Sequence, residues 1–132
     1  MICTEKAIVI DLDQTIAQPK GKGQEYMDLK PYPKVVRKLK EYKKQGFYII
    51  IVTARNMRTF DGNIGKINAV TLKTILAWLD KHRVPHDEVH VGRPWCGVGG
   101  FYVDDQAIRP DEFLTLSVKQ IDKLLKRKAG RE

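Results

Sequence analysis

Cysteine is scarce in this chain. Cys3 and Cys96 lie far apart and outside any CxxC or Cys/His spacing, which argues against both a disulfide framework and a zinc site. Long apolar runs are missing too: nothing approaches the roughly 18 consecutive apolar residues that a membrane span needs. The opening MICTEKAIVIDLD has one short apolar stretch that ends in acids, unlike a secretory leader. A reduced, cytoplasmic protein with no membrane partner is therefore expected. His82, His86 and His90 have no ligand-like spacing and are not read as metal ligands. GKGQ, at 21–24, lacks the spacing of a phosphate-cradling P-loop. Internal repeats and low-complexity tracts are also lacking.

What is present is one domain's worth of chain. At 132 residues it can bury a real core but not two ordinary ones, so a single domain is expected over 1–132. Disorder is expected at 17–25 and from about residue 126 onward. The formal charge is +8 with a pI near 9.5, which favours an anionic partner or simply a basic solvated surface. Seven Lys or Arg against Glu41 alone lie between Lys30 and Gln45. That skew keeps open a nucleic-acid-associated module meeting phosphates without sequence specificity, although no DNA or RNA motif accompanies it and nucleic acid is disfavoured as a partner.

Four short apolar runs, each cut off by polar or glycine-containing sequence, read as buried strands: Ala7 to Asp11, Tyr48 to Thr53, Val89 to Gly92 and Phe101 to Asp105. Helical patterns separate or follow them. The first begins at Pro33, stops at Gly46 and carries Val35, Leu39 and Tyr42 on one stripe. The second, within 69–84, puts Leu72, Ile75, Leu76 and Leu79 on a stripe. The third has a capping box, Ser117 with Gln120, before Val118, Ile121, Leu124 and Leu125. Strand and helix in alternation imply crossover connections, hence an α/β fold: a three-layer, Rossmann-like parallel sheet with helices on both faces.

In such a sheet the C-terminal strand ends share one rim, where ligands bind. Asp11, Asp13, Thr53, Arg93, Asp104 and Asp105 all follow strand ends. Clustered carboxylates repel unless a cation sits among them, and oxygen donors without nearby His or Cys suit Mg²⁺ completed by water and substrate phosphate. One acid of the Asp11/Asp13 pair could act as nucleophile and the other as proton donor, with Thr53 and Arg93 binding phosphate oxygens. Singly, each residue has an ordinary explanation: Asp13 as a turn residue, Thr53 as a strand residue, Asp104 or Asp105 as a cap.

DLDQT at 11–15, IIIVTAR at 49–55 and YVDD at 102–105 resemble, in order and spacing, three motifs of the haloacid dehalogenase (HAD) superfamily of aspartate-nucleophile phosphohydrolases. The segments TARNMRTFDGNIGKIN and VGRPWCGVGGFYVDDQAIRP resemble the narrower group of capsular polysaccharide biosynthesis phosphatases. The resemblance implies Asp11 as nucleophile forming an aspartyl phosphate and Asp13 as general acid/base, with its main-chain carbonyl also on the metal. It further implies Thr53 and Ala54 at the phosphate, and Asp104 as a Mg²⁺ ligand supported by Asp105. The expected activity is phosphate-monoester hydrolysis on a small phosphorylated metabolite, a sugar phosphate of polysaccharide biosynthesis.

Two departures stand out. Gln14 occupies a place where the superfamily usually has Gly. The motif III cation, usually Lys, is matched to Arg93, with Lys66 and Lys73 as alternatives. The intervals between motifs leave no room for a cap domain, so substrate choice falls to 17–32 and 56–70, or to completion of the site in a homo-oligomer. Arg55, Arg58, Asn63, Lys66 and Asn68 are the substrate-selecting candidates there, while Trp95 reads as packing. A nucleotide or polynucleotide phosphatase, or a receiver-like phospho-accepting domain, are the other readings; in the latter the acidic pair ends the first strand and the accepting Asp lies mid-chain, whereas here DLD opens the chain and DD comes late.

Overall fold

The computed structural model describes residues 6–127, which fall into two compact units, Met1–Trp95 and Cys96–Glu132. The expected disordered tail lies largely outside the described residues. No helix among the described residues is long and apolar enough to cross a membrane.

The first unit is built on three parallel strands, β1 (Ala7–Asp11), β2 (Tyr48–Val52) and β3 (Glu88–His90), in the order β1-β2-β3. Register pairs Ile8 with Ile49, Ile10 with Ile51 and Ile51 with Val89. Period-two alternation puts these residues on one face, where Ile10, Ile49 and Ile51 are buried. Val9, on the other face of the edge strand β1, is 62% exposed, so β1 alternates where a strand buried on both faces was expected.

Helix α1 (Pro33–Lys44) opens on Pro33 and is followed by Gly46 at φ +90. Proline loses nothing at the first helical position, and a left-handed glycine terminates the last turn. Val35, Val36, Leu39 and Tyr42 form its buried stripe. At its C-terminal end Lys43 donates to both Asp87 oxygens, at 2.7 and 2.6 Å, and Asp87 accepts from the Ile49 N–H.

The second helical region starts as a short turn, α2 (Ile64–Lys66), passes through a wide π-type turn at Ile67–Thr71 and continues as α3 (Leu72–Lys81). The inserted residue in a π turn rotates the following face. The buried residues of α3 are Ile75, Trp78 and Leu79, whereas Leu76, expected in the core, is exposed. Trp78 Nε1 donates to the Leu29 carbonyl at 2.8 Å, anchoring the end of the 17–32 segment. Ala17, expected to begin a disordered stretch, is fully buried.

The second unit carries α4 (Pro110–Thr115) and α5 (Val118–Leu124). Ser117 and Gln120 make the expected reciprocal cap, Gln120 N–H to Ser117 Oγ and Ser117 N–H to Gln120 Oε1. Leu124, assigned to the apolar stripe, is exposed. The expected strand at Phe101–Asp105 is not formed: the segment is irregular, with Phe101 and Val103 exposed. A strand exists only where its N–H and C=O groups find a ladder partner, and the described residues of this unit contain no strand.

Candidate functional site

The DLD stretch is explained by its middle residue. Leu12 is fully buried, and its carbonyl accepts the N–H groups of Thr15, Ile16 and Ala17 at 3.3, 2.9 and 3.0 Å. Burying one leucine side chain contributes about 1.5–3 kcal/mol. The leucine thus pins a tight turn, with Asp11 and Asp13 as its immediate chain neighbours. Gln14 takes φ +61 and its N–H donates to the Ala17 carbonyl at 2.8 Å. The position that departs from the superfamily's glycine has the left-handed backbone that glycine adopts most readily.

Asp11 ends β1, opposite Val52, and the next residue of that chain is Thr53. The Thr53 N–H donates to the His90 carbonyl and its own carbonyl accepts from the Arg93 N–H, at 3.0 and 3.1 Å. These two bonds carry the strand ends past the sheet and bring Arg93 Nη1 within 3.5 Å of Asp11 Oδ1. Between His90 and Arg93 lies Gly92 at φ +83, a backbone conformation that favours glycine, and a Cβ there would stand 2.5 Å from the terminal Cδ1 of the half-exposed Ile64 side chain, which would have to shift. Thr15 Oγ1 lies 3.4 Å from Asp11 Oδ2. Burial raises the Asp11 pKa above the ordinary aspartate value, and the neighbouring Asp13 adds to this. Arg93, the Leu12 N–H and Thr15 act against the rise.

Thr53 is buried, and its Oγ1 accepts the Arg55 N–H at 3.0 Å. The hydroxyl proton is still free to donate. Arg55, expected to contact substrate, is 2% exposed at its side chain and grips Asp13 through Nε to Oδ2 at 3.2 Å and Nη2 to Oδ1 at 2.7 Å. The Tyr26 ring lies over the guanidinium at 4.1 Å. Arg55 Nη1 is buried with no hydrogen-bond partner among the described residues. Burial raises the Tyr26 pKa, with the Asp13 charge adding to the effect and Arg55 opposing it.

Asp11, Asp13, Thr53, Arg55 and Arg93 therefore meet at one end of the first unit's sheet, with Ala54 half-buried between Thr53 and Arg55. Of the three cations considered for motif III, Arg93 stands beside Asp11, while Lys66 lies over the Phe60 ring at 5.0 Å and Lys73 is exposed on α3. The Asn63 side chain caps α2 by accepting the Lys66 N–H, and Asn68 is exposed. Arg58 is directed over the Trp95 ring at 5.6 Å. Asp104 and Asp105 belong to the second unit, where both are exposed and Asp104 Oδ1 accepts the Gln106 N–H at 2.8 Å.

Sequence reasoning missed Tyr26, Thr15 and the exposure of Trp95. Thr15, the last residue of DLDQT, and Trp95, within VGRPWCGVGGFYVDDQAIRP, both carried a usable signal; Tyr26 carried none. Among the described residues no group of three or more His, Cys, Asp or Glu side chains is arranged to hold a metal ion.

No family model matches the chain, and no curated protein matches it. A solved structure of a structural-genomics target from Vibrio cholerae is similar, with 49% sequence identity and a TM-score of 0.87 over 92% of this chain and 97% of that one.

Proposed function

We propose that this chain, which belongs to the same family as the Vibrio cholerae protein, is a Mg²⁺-dependent phosphatase working through an aspartyl phosphate on Asp11. The proposal includes a HAD-type, Rossmann-like three-layer arrangement without a cap, a cytoplasmic location and a sugar phosphate as substrate. One observation carries it: Asp11, backed by Arg93 at 3.5 Å, shares the rim of a parallel sheet with Asp13 and Thr53. The HAD-like motifs supply the assignment of roles.

In this reading an Asp11 oxygen attacks the phosphorus, the bond from phosphorus to the ester oxygen breaks, and the departing oxygen takes a proton from Asp13. Water then attacks the phosphorus of the acyl phosphate, giving its proton to Asp13, and Asp11 is released as carboxylate. Arg93 and the Thr53 hydroxyl donate to the phosphoryl oxygens, whose charge is spread at the transition state. Arg55 holds the Asp13 carboxyl in place for both proton movements.

The donor set fits magnesium. That ion takes one or two protein carboxylates and fills its shell with water and phosphate, so Asp11 and the Asp13 main-chain carbonyl would be the residues of the first unit that hold it. When bound, the ion supplies positive charge next to the phosphate.

The test is phosphate release from hexose phosphates, nucleoside monophosphates and an aryl phosphate, with and without Mg²⁺. Wild type should turn over at least one ester only with Mg²⁺, and Asp11→Asn and Asp13→Asn should lose about 10³-fold or more. Wild-type turnover that survives in Asp11→Asn defeats the nucleophile, and metal-independent turnover defeats the cofactor.

A further inference from the structure

A second feature of the first unit lies beside the proposed site. Met57, Arg58, Asp61, Gly62 and Trp95 line an open groove of about 400 Å³. Both of its walls leave from the place where the phosphate would sit. One wall is the loop after Thr53, whose Met57 N–H donates to the Ala54 carbonyl at 3.0 Å. The other is Trp95, two residues beyond Arg93, which is itself tied to the Thr53 carbonyl.

The loop is held in one shape. Asn56 and Asp61 adopt φ +63 and +50, a region that non-glycine residues enter at a cost. Three bonds fix them there: Gly62 N–H to Met57 O at 2.8 Å, Asn63 N–H to Phe60 O at 3.0 Å and Thr71 Oγ1 to Asn56 Oδ1 at 2.6 Å. Backbone held in sparsely populated regions by surrounding bonds is characteristic of ligand clamps, and a preformed wall lowers the ordering cost of binding.

The lining is chemically mixed. Trp95 leaves 44% of its surface exposed, a large apolar area that packing does not consume. Arg58 offers donors over the same ring, Asp61 offers acceptors, and their charges cancel. A second anionic group gains little from such a pair. A ring with an apolar C–H surface and a rim of hydroxyls gains from all three, stacking on the indole while its hydroxyls donate to Asp61 and accept from Arg58.

We propose that this groove seats the pyranose ring of the substrate, with Trp95 as its platform and Asp61 and Arg58 as its hydroxyl contacts. The proposal rests on the phosphatase reading for the position of the phosphate. It assigns specificity to Trp95 and Asp61, neither of which belongs to the phosphate-binding set.

The test compares glucose 6-phosphate and glucose 1-phosphate with glycerol 3-phosphate and adenosine 5′-monophosphate, in wild type, Trp95→Ala, Trp95→Phe and Asp61→Asn. Trp95→Ala should lower kcat/KM for the hexose phosphates by about tenfold more than for glycerol phosphate, through KM. Trp95→Phe should recover most of the loss, and Asp61→Asn should show the same preference more weakly. Unphosphorylated glucose should alter the indole fluorescence of wild type but not of Trp95→Phe, because Trp78 is buried. Equal losses on hexose and glycerol phosphates, or a larger loss on the nucleotide, overturn the proposal. If no ester is hydrolysed while glucose still perturbs Trp95, the phosphatase reading falls and the groove stands.

Discussion

Arg55 and Asp13, 42 residues apart, are joined by two parallel hydrogen bonds of 2.7 and 3.2 Å, with the guanidinium buried beneath the Tyr26 ring. The fork fixes the carboxyl plane as well as its position, which a lysine's point charge cannot do. Displacing a reacting group by about 1 Å costs on the order of 10²-fold in rate. Arg55→Lys is therefore expected to lower kcat by about 10- to 100-fold while KM changes little. Stability should fall by about 1–2 kcal/mol, less than for a fully buried pair because Asp13 is partly exposed. Steady-state kinetics on the best ester of the panel would test this, and a kcat within about twofold of wild type would remove Arg55 as a positioning residue.

Gln14 sits in the left-handed region at φ +61. A non-glycine residue there costs roughly 1–2 kcal/mol, while glycine loses about 0.5–1 kcal/mol of chain entropy. Gln14→Gly should thus stabilise the protein modestly, by up to about 1 kcal/mol in urea unfolding, and Gln14→Ala should not. A gain in both variants would trace the effect to the glutamine side chain instead of the backbone.

How much was legible beforehand depends on whether the cause lay in local sequence. The strands β1 and β2 and helix α1 follow from β-branched runs and from Pro33 and Gly46, so they could be read directly. Thr53 and Arg93 could be expected beside Asp11 because strand ends in a parallel sheet converge. Phe101–Asp105 has strand composition, but a strand also needs a partner, which composition does not reveal. The α3 core includes Trp78 and leaves out Leu76, with Trp78 held by its bond to the Leu29 carbonyl, a partner that apolar periodicity alone does not show. Arg55 and Arg58 look interchangeable in TARNMR; burial separates them, turning one toward Asp13 and the other toward Trp95.

Asp11 has its pKa raised chiefly by burial. The folded state therefore binds its proton more tightly than the unfolded state. Its contribution to stability falls as pH rises from the ordinary value of 3.8 through the raised one, and stays reduced above that. Without divalent ions at neutral pH, Asp11→Asn should be more stable than wild type, by less than about 1 kcal/mol because the carboxyl is partly solvated. The two should converge below the ordinary value. Saturating Mg²⁺ should stabilise wild type more than the variant; an equal response would place the ion elsewhere.

Asp87 shows the opposite sign. Burial alone would raise its pKa, but the Lys43 and Ile49 hydrogen bonds, with the Lys43 and His86 charges, lower it overall. Its contribution is complete above the ordinary value of 3.8 and is lost as pH falls through the depressed folded value. Asp87→Ala should cost about 1–2 kcal/mol at neutral pH, and that difference should shrink in acid. A pH-independent difference would mean that the loss comes from packing and not from the carboxylate.

Gly92 immediately precedes Arg93 and has φ +83. That conformation strains any residue with a Cβ, while the 2.5 Å approach of Ile64 Cδ1 requires that exposed side-chain end to shift. Gly92→Ala should destabilise by about 1–3 kcal/mol and should raise KM for phosphate esters, since the following N–H bonds Thr53 and the following side chain reaches Asp11. Adding Ile64→Ala to Gly92→Ala clears the steric contact but leaves the backbone strain. If the double variant regains stability without regaining KM, the turn conformation is what aims Arg93. If both return together, the side-chain clash was the whole effect, and the left-handed turn is not what directs the arginine.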